Sequence, residues 1–167
     1  IKEVDFDAYI ECIKEHKEFN PRSIMEEDTT YKQIIPYLVF TFDNKYFLMQ
    51  RTAKSTETRL KNKFSLGIGG HIRAEDLTND SIMDWARREF HEEVSYNDAF
   101  SFEPLGILND DSNAVGQVHI GFVMLVKGTT GHISVKSELK SGQLLSLEEC
   151  SAFGDQLESW SKFVVEF

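Results

Sequence analysis

The sequence predicts a layered α/β domain, and three observations predict it. Runs rich in β-branched and aromatic residues recur along the chain, in 34–51, in "FEPLGIL" and in "VHIGFVMLV". Between them, over about residues 79–95, apolar positions recur at helical spacing. The chain has 167 residues, 41% of them hydrophobic, which is one domain's length and enough to bury a core. Strands and helices mixed within one such length imply helices packed on a sheet.

In chain order, Phe6, Tyr9, Ile10 and Ile13 predict a helix over about 5–19 that Asn20 and Pro21 stop. Residues 25–30 are acidic and polar and read as a loop. "IIPYLVFTF" and "KYFLMQR" read as a hairpin turning at Asp43 and Asn44. The segment 52–63 is polar and basic, with Lys54, Arg59, Lys61 and Lys63, so it is the best local attractor for an anion. "FSLGIGGH" ends a strand in glycines, which permit a tight turn or a close backbone approach. After the 79–95 helix come the two buried strands and a weaker one, "HISVKS", and then "SLEECSAF" and "DQLESWSKFVVEF" as helices. Repeats and low-complexity linkers are absent, so 1–167 reads as a single domain with 1–30 as an N-terminal helical extension.

Charge and composition narrow the function. The formal net charge is −10, a field that disfavours nucleic acid and anionic membrane as partners. The two cysteines, Cys12 and Cys150, are far apart and have no metal-ligand spacing, so both read as free thiols of a reducing compartment. No apolar run reaches the roughly 18 residues of a membrane span, and no signal peptide is visible. The expected compartment is the cytoplasm.

The chemistry concentrates in "RREFHEEVSY", residues 87–96. On a wheel with Ile82 at zero, Trp85, Ala86, Phe90, Met83 and Val94 form an arc from about 300° to about 120°. Glu89, at about 340°, and Glu93, at about 20°, fall inside that arc, and Glu92, at about 280°, lies on its edge. Glutamates three and four residues apart repel, the helix C-terminus disfavours anions, and burial removes their water. Arg88 can reach Glu92 at i,i+4, but one arginine does not balance three carboxylates. A divalent cation does, and hard oxygen ligands suit Mg²⁺ or Mn²⁺; a buried ion-pair network is the alternative. "HEEVS" is not a zinc helix, because Ser95 stands where the second histidine belongs. No calcium-loop pattern is present.

The same stretch resembles the Nudix box, GX5EX7REUXEEXGU with U a bulky apolar residue. Arg88, Glu89, Phe90, Glu92 and Glu93 match REUXEE, Tyr96 takes the last apolar place, and "SLGIGGHI" resembles the opening strand and glycines. The resemblance covers about 69–96. It departs where Ser95 replaces the glycine and where the first half is stretched. Gly69 and Glu75 keep the GX5E spacing with an insertion following, or Asp80 takes the acidic position, with seven residues between it and Arg88.

The resemblance implies a Nudix-like α/β/α sandwich with a mixed β-sheet and hydrolysis of a phosphoanhydride in a nucleoside diphosphate-linked small molecule. It implies Mg²⁺, with Mn²⁺ as the alternative, on Glu89, Glu92 and Glu93 near the Gly70 carbonyl. Glu89 and Glu93 are then catalytic, Arg88 is supported by Asp80 or Glu75, and Glu138 is a candidate general base from a later loop. Arg51 and His71 are candidates for binding substrate phosphate or base, whereas His119 reads as a strand residue with a satisfied hydrogen bond. The oligomeric state is open, a homodimer included. Two other functions fit the same resemblance. One is a Nudix-fold nucleotide sensor that does not cleave. The other is a relative of isopentenyl-diphosphate isomerase, which "GGH" and the insertion resemble; that branch uses a cysteine near the strand before the box, and neither Cys12 nor Cys150 lies there.

Overall fold

The computed structural model describes residues 5–51, 62–76, 81–136 and 139–167. Two helices come first, α1 (Phe6–His16) and α2 (Arg22–Met25). The strands are β1 (Gln33–Phe42), β2 (Lys45–Arg51), β3 (Phe64–Ser65), β4 (Gly67–Ile68), β5 (Val94–Ser95), β6 (Phe100–Leu108), β7 (His119–Gly128), β8 (Ser134–Val135) and β9 (Leu139–Leu145). Helix α3 (Ile82–Glu93) separates β4 from β5, and α4 (Leu147–Ser151) and α5 (Ser159–Glu166) close the chain.

The main sheet runs β3-β2-β1-β7-β6, with β4 also paired to β1 and β9 to β2. β1 and β7 are parallel, with Gln33 opposite His119, and the other pairings are antiparallel. The sheet is therefore mixed. Asp43 and Asn44 turn the β1–β2 hairpin at φ 50° and 57°, the left-handed values of a two-residue hairpin loop, which short polar side chains tolerate.

The period of two along each strand divides the core. Leu38, Phe40, Phe47, Met49, Met124 and Val126 face one side, where Trp85, Ala86 and Phe90 of α3 cover them. Tyr37, Val39, Leu48 and Val123 face the other, under Cys150 of α4 and Val164 of α5. This is the α/β/α sandwich. Burying a side chain such as Phe90 stabilises by about 1.5–3 kcal/mol, so α3 is held by its apolar stripe rather than by propensity.

Several element ends differ from the sequence reading. α1 stops at His16, before Pro21, and it buries no residue. The 25–30 loop begins with the end of α2. β9 was not legible because Lys140, Ser141, Gly142 and Gln143 are exposed on an edge strand, where no apolar alternation is required. Before α5, Leu157 is drawn into a bridge with Phe64, so the last helix begins only at Ser159. Most of the basic segment, 52–61, lies outside the described residues.

Candidate active site

Helix α3 begins at Ser81, whose hydroxyl accepts from the Asp84 amide at 3.2 Å, a side-chain N-cap. It ends without a glycine cap: Val94 is extended, at φ −129° and ψ 154°, and the chain passes directly into β5, which pairs with β8. Ser95 is thus a strand residue, and this conformation does not require the glycine of the family pattern.

The three glutamates differ in setting. Glu89 is buried, 8% exposed, among the apolar residues of α3. Glu93 is half-buried, and Glu92 is exposed. Arg88 Nη1 pairs with Glu92 Oε1, the i,i+4 pair expected from the spacing, while its Nη2 stands 4.0 Å from Glu89 Oε2.

The glycines of β4's exit form the facing wall. A Cβ on Gly69 would lie 2.3 Å from the Pro36 carbonyl oxygen, and one on Gly70 would lie 2.2 Å from Glu89 Oε1. A side chain at either position would force backbone or carboxylate to move. The turn therefore brings bare backbone against the Glu89 carboxylate, so Gly70 and Glu89 lie side by side.

Arg51 ends β2 and is tied inward. Its Nε donates to Glu158 Oε2 at 3.3 Å. Glu158, 6% exposed, also accepts from the Tyr37 hydroxyl at 2.7 Å and has the Ser65 hydroxyl at 2.5 Å. Ser161 Oγ lies 2.7 Å from the Tyr37 hydroxyl and accepts from the Leu66 amide at 2.9 Å. The Glu158 charge holds the Arg51 guanidinium above its ordinary pKa, with smaller contributions that include Glu93. Burial, and then the same Glu158 charge, push the Tyr37 phenol well above its ordinary value, so it stays a donor. Arg51 is thus a fixed cation whose field reaches Glu93.

His71 turns toward β7. Its Nε2 lies 3.1 Å from His119 Nε2, and burial, followed by the Arg22 charge, pushes its pKa down to about 4. It is neutral at pH 7. His119 is buried, and its Nδ1 lies 2.7 Å from the Val115 carbonyl, the satisfied hydrogen bond expected of it. Glu26, just past α2, joins them: the three ligand atoms lie within 4.8 Å of one another. Burial would raise the Glu26 carboxyl, but the Arg22 hydrogen bond and charge outweigh it and hold it low.

Asp80 and Glu138 lie outside the described residues, and Glu75 is exposed in a 3-10 turn, Ala74–Asp76. Glu158 and Glu26 were not singled out from the sequence. Glu158 lies in an unremarkable "QLES", and its partners Ser65, Arg51 and Tyr37 are 93 to 121 residues away.

No family model matches the chain. Protein YmaB of Bacillus subtilis (strain 168) is 38% identical over 154 residues, covering 87% of this chain and 75% of that protein. The structure of Tm1382, a protein assigned to the Nudix hydrolases, superposes with a TM-score of 0.83 at 30% identity, over 99% of this chain and 85% of that one. The chain belongs to the Nudix hydrolase family. The Nudix domain of Shewanella oneidensis NrtR, solved with ADP ribose, shares the Nudix fold at a TM-score of 0.62 and 13% identity, over 98% of this chain and 96% of that domain. Both cysteines of this Nudix chain are free, Cys12 exposed and Cys150 buried, and burial pushes the Cys150 thiol up to about 11. Among its described residues, no helix is long and apolar enough to cross a membrane.

Proposed function

We propose that the chain hydrolyses a phosphoanhydride in a nucleoside diphosphate-linked small molecule, with Mg²⁺ held by Glu89, Glu92, Glu93 and the Gly70 carbonyl. The observation that carries this reading is Glu89: a carboxylate only 8% exposed, at the C-terminal end of a helix, against a glycine whose missing Cβ leaves its oxygen room. An all-oxygen donor set of carboxylates and a carbonyl fits a hard divalent cation. Bound there, Mg²⁺ would neutralise phosphate oxygens, stabilise the charge developing on the leaving group and ease ionisation of the attacking water.

The chain's own residues supply position and proton transfer. Arg88 orients Glu92 through their ion pair. Arg51, immobilised by Glu158, keeps a positive charge near Glu93 and attracts a phosphate into an otherwise acidic protein. His71, neutral at pH 7, can offer a phosphate a hydrogen bond but no charge. Glu138 remains the proposed general base, with Glu89 and Glu93 sharing the proton-transfer role. The described residues flanking it support this: the Lys136 amide donates to the Glu93 carbonyl at 3.0 Å, and Leu139 pairs with Arg51.

The test is hydrolysis of nucleoside di- and triphosphates, nucleotide sugars and dinucleoside polyphosphates, with Mg²⁺ or with chelator. Cleavage of one class is expected, abolished by chelator and lowered by about two orders of magnitude or more in Glu92→Gln. Turnover unchanged in excess chelator overturns the proposal, and tight binding without cleavage returns the sensor function.

A further inference from the structure

We propose that Glu26, His71 and His119 form a second cation site, selective for a borderline transition metal of the zinc class and distinct in donor chemistry from the box carboxylates. It holds the segment after α2 to the glycine turn and to the paired starts of β1 and β7. The inference does not depend on the hydrolytic reaction.

Geometry comes first. The two Nε2 atoms are 3.1 Å apart. Two imidazole nitrogens each about 2.0–2.1 Å from a tetrahedral zinc ion stand roughly 3.3 Å apart. The pair is therefore already close to the separation of two ligands on one cation. With the Glu26 oxygen, all three ligand atoms lie within 4.8 Å of one another, so an adjustment of the Glu26 rotamer closes the set.

Tautomer comes second. His119 Nδ1 sits 2.7 Å from the Val115 carbonyl oxygen and donates to it, which turns Nε2 toward His71. A histidine whose far nitrogen is fixed on a backbone carbonyl is the usual support of a metal ligand. His119 is buried, and its position is set by the β1–β7 register at Gln33. Gln33 Nε2 is within 3.3 Å of the Met25 carbonyl and 3.4 Å of His119 Nε2, so the same strand end already touches the chain that carries Glu26.

Charge comes third. The rival for Glu26 is Arg22, at 2.8 Å. That pair is partly solvent-exposed, of a kind that contributes little to stability, and a carboxylate has a second oxygen. Two imidazole nitrogens and one carboxylate suit a borderline cation better than Mg²⁺, which prefers oxygen alone. Three protein ligands leave a fourth position for water.

The test uses untagged protein in millimolar Mg²⁺. Titration calorimetry with Zn²⁺ should find one equivalent bound with micromolar or tighter affinity, and Zn²⁺ should raise the melting temperature. Co²⁺ in place of Zn²⁺ should give the intense visible bands of a four- or five-coordinate nitrogen-containing site. His71→Gln and Glu26→Gln should each weaken binding at least tenfold, whereas Glu92→Gln should leave it unchanged. His119→Gln tests the third ligand; should it not fold, the other two, checked by circular dichroism, decide alone. The proposal is overturned by no Zn²⁺ uptake in the wild type, by equal affinity in His71→Gln and Glu26→Gln, or by loss of binding in Glu92→Gln.

Discussion

Glu89 and Glu158 are buried to nearly the same depth, 8% and 6% exposed, on opposite sides of one sheet. Glu158, at the N-cap position of α5, receives two hydroxyls at 2.7 Å or less and the Arg51 guanidinium. The helix end favours an anion there. Glu89 sits near the opposite kind of helix end, where an anion is disfavoured, against glycine backbone, with Arg88 Nη2 at 4.0 Å. The same chemical group is a structural anchor at the start of a helix, where hydroxyls and a guanidinium meet its oxygens, and is the proposed cation ligand near the end of another, where glycine backbone lies against it. Burial alone distinguishes nothing; the surroundings of the oxygens do.

Three changes break or sharpen that contrast. The largest expected effect is Glu158→Gln. It leaves hydroxyl partners but strands a largely buried guanidinium, and should cost about 3 kcal/mol in urea denaturation. A loss under about 1 kcal/mol would make Glu158 no more of an anchor than Glu89. Next is Gly70→Ala, whose methyl group would meet Glu89 Oε1. Mg²⁺ affinity by calorimetry should fall at least tenfold while the urea midpoint changes little; unchanged affinity would mean that the cleared backbone has no part in cation binding. The smallest is Glu93→Gln. Relieving the i,i+4 repulsion and the unfavourable helix end should stabilise the metal-free protein by roughly 0.5–1 kcal/mol. The variant should melt higher in chelator than the wild type and lose the stabilisation that Mg²⁺ confers. A lower melting temperature in chelator would put Glu93 in the same class as Glu158.

The amino-acid sequence by itself determined what depends on local periodicity and on one contiguous helix. The hairpin at Asp43 and Asn44, the strands β6 and β7, and helix α3 were legible because apolar alternation and turn residues act over a few positions. Glu89 and Glu93 were legible as misplaced carboxylates because the wheel compares residues within twelve positions of one another, and a helix makes those neighbours in space. Only the tertiary structure decided the rest. Glu158 meets Tyr37 within β1, Arg51 at the end of β2 and Ser65 at the end of β3, and no spacing encodes that. Glu26, His71 and His119 come from a loop after a short helix, a glycine turn and the start of a strand, brought together by the parallel pairing of β1 with β7. Exposed β9 was hidden for the converse reason: an edge strand is fixed by its partner's free hydrogen-bonding groups, which belong to β2 and leave no mark on the residues of β9 itself.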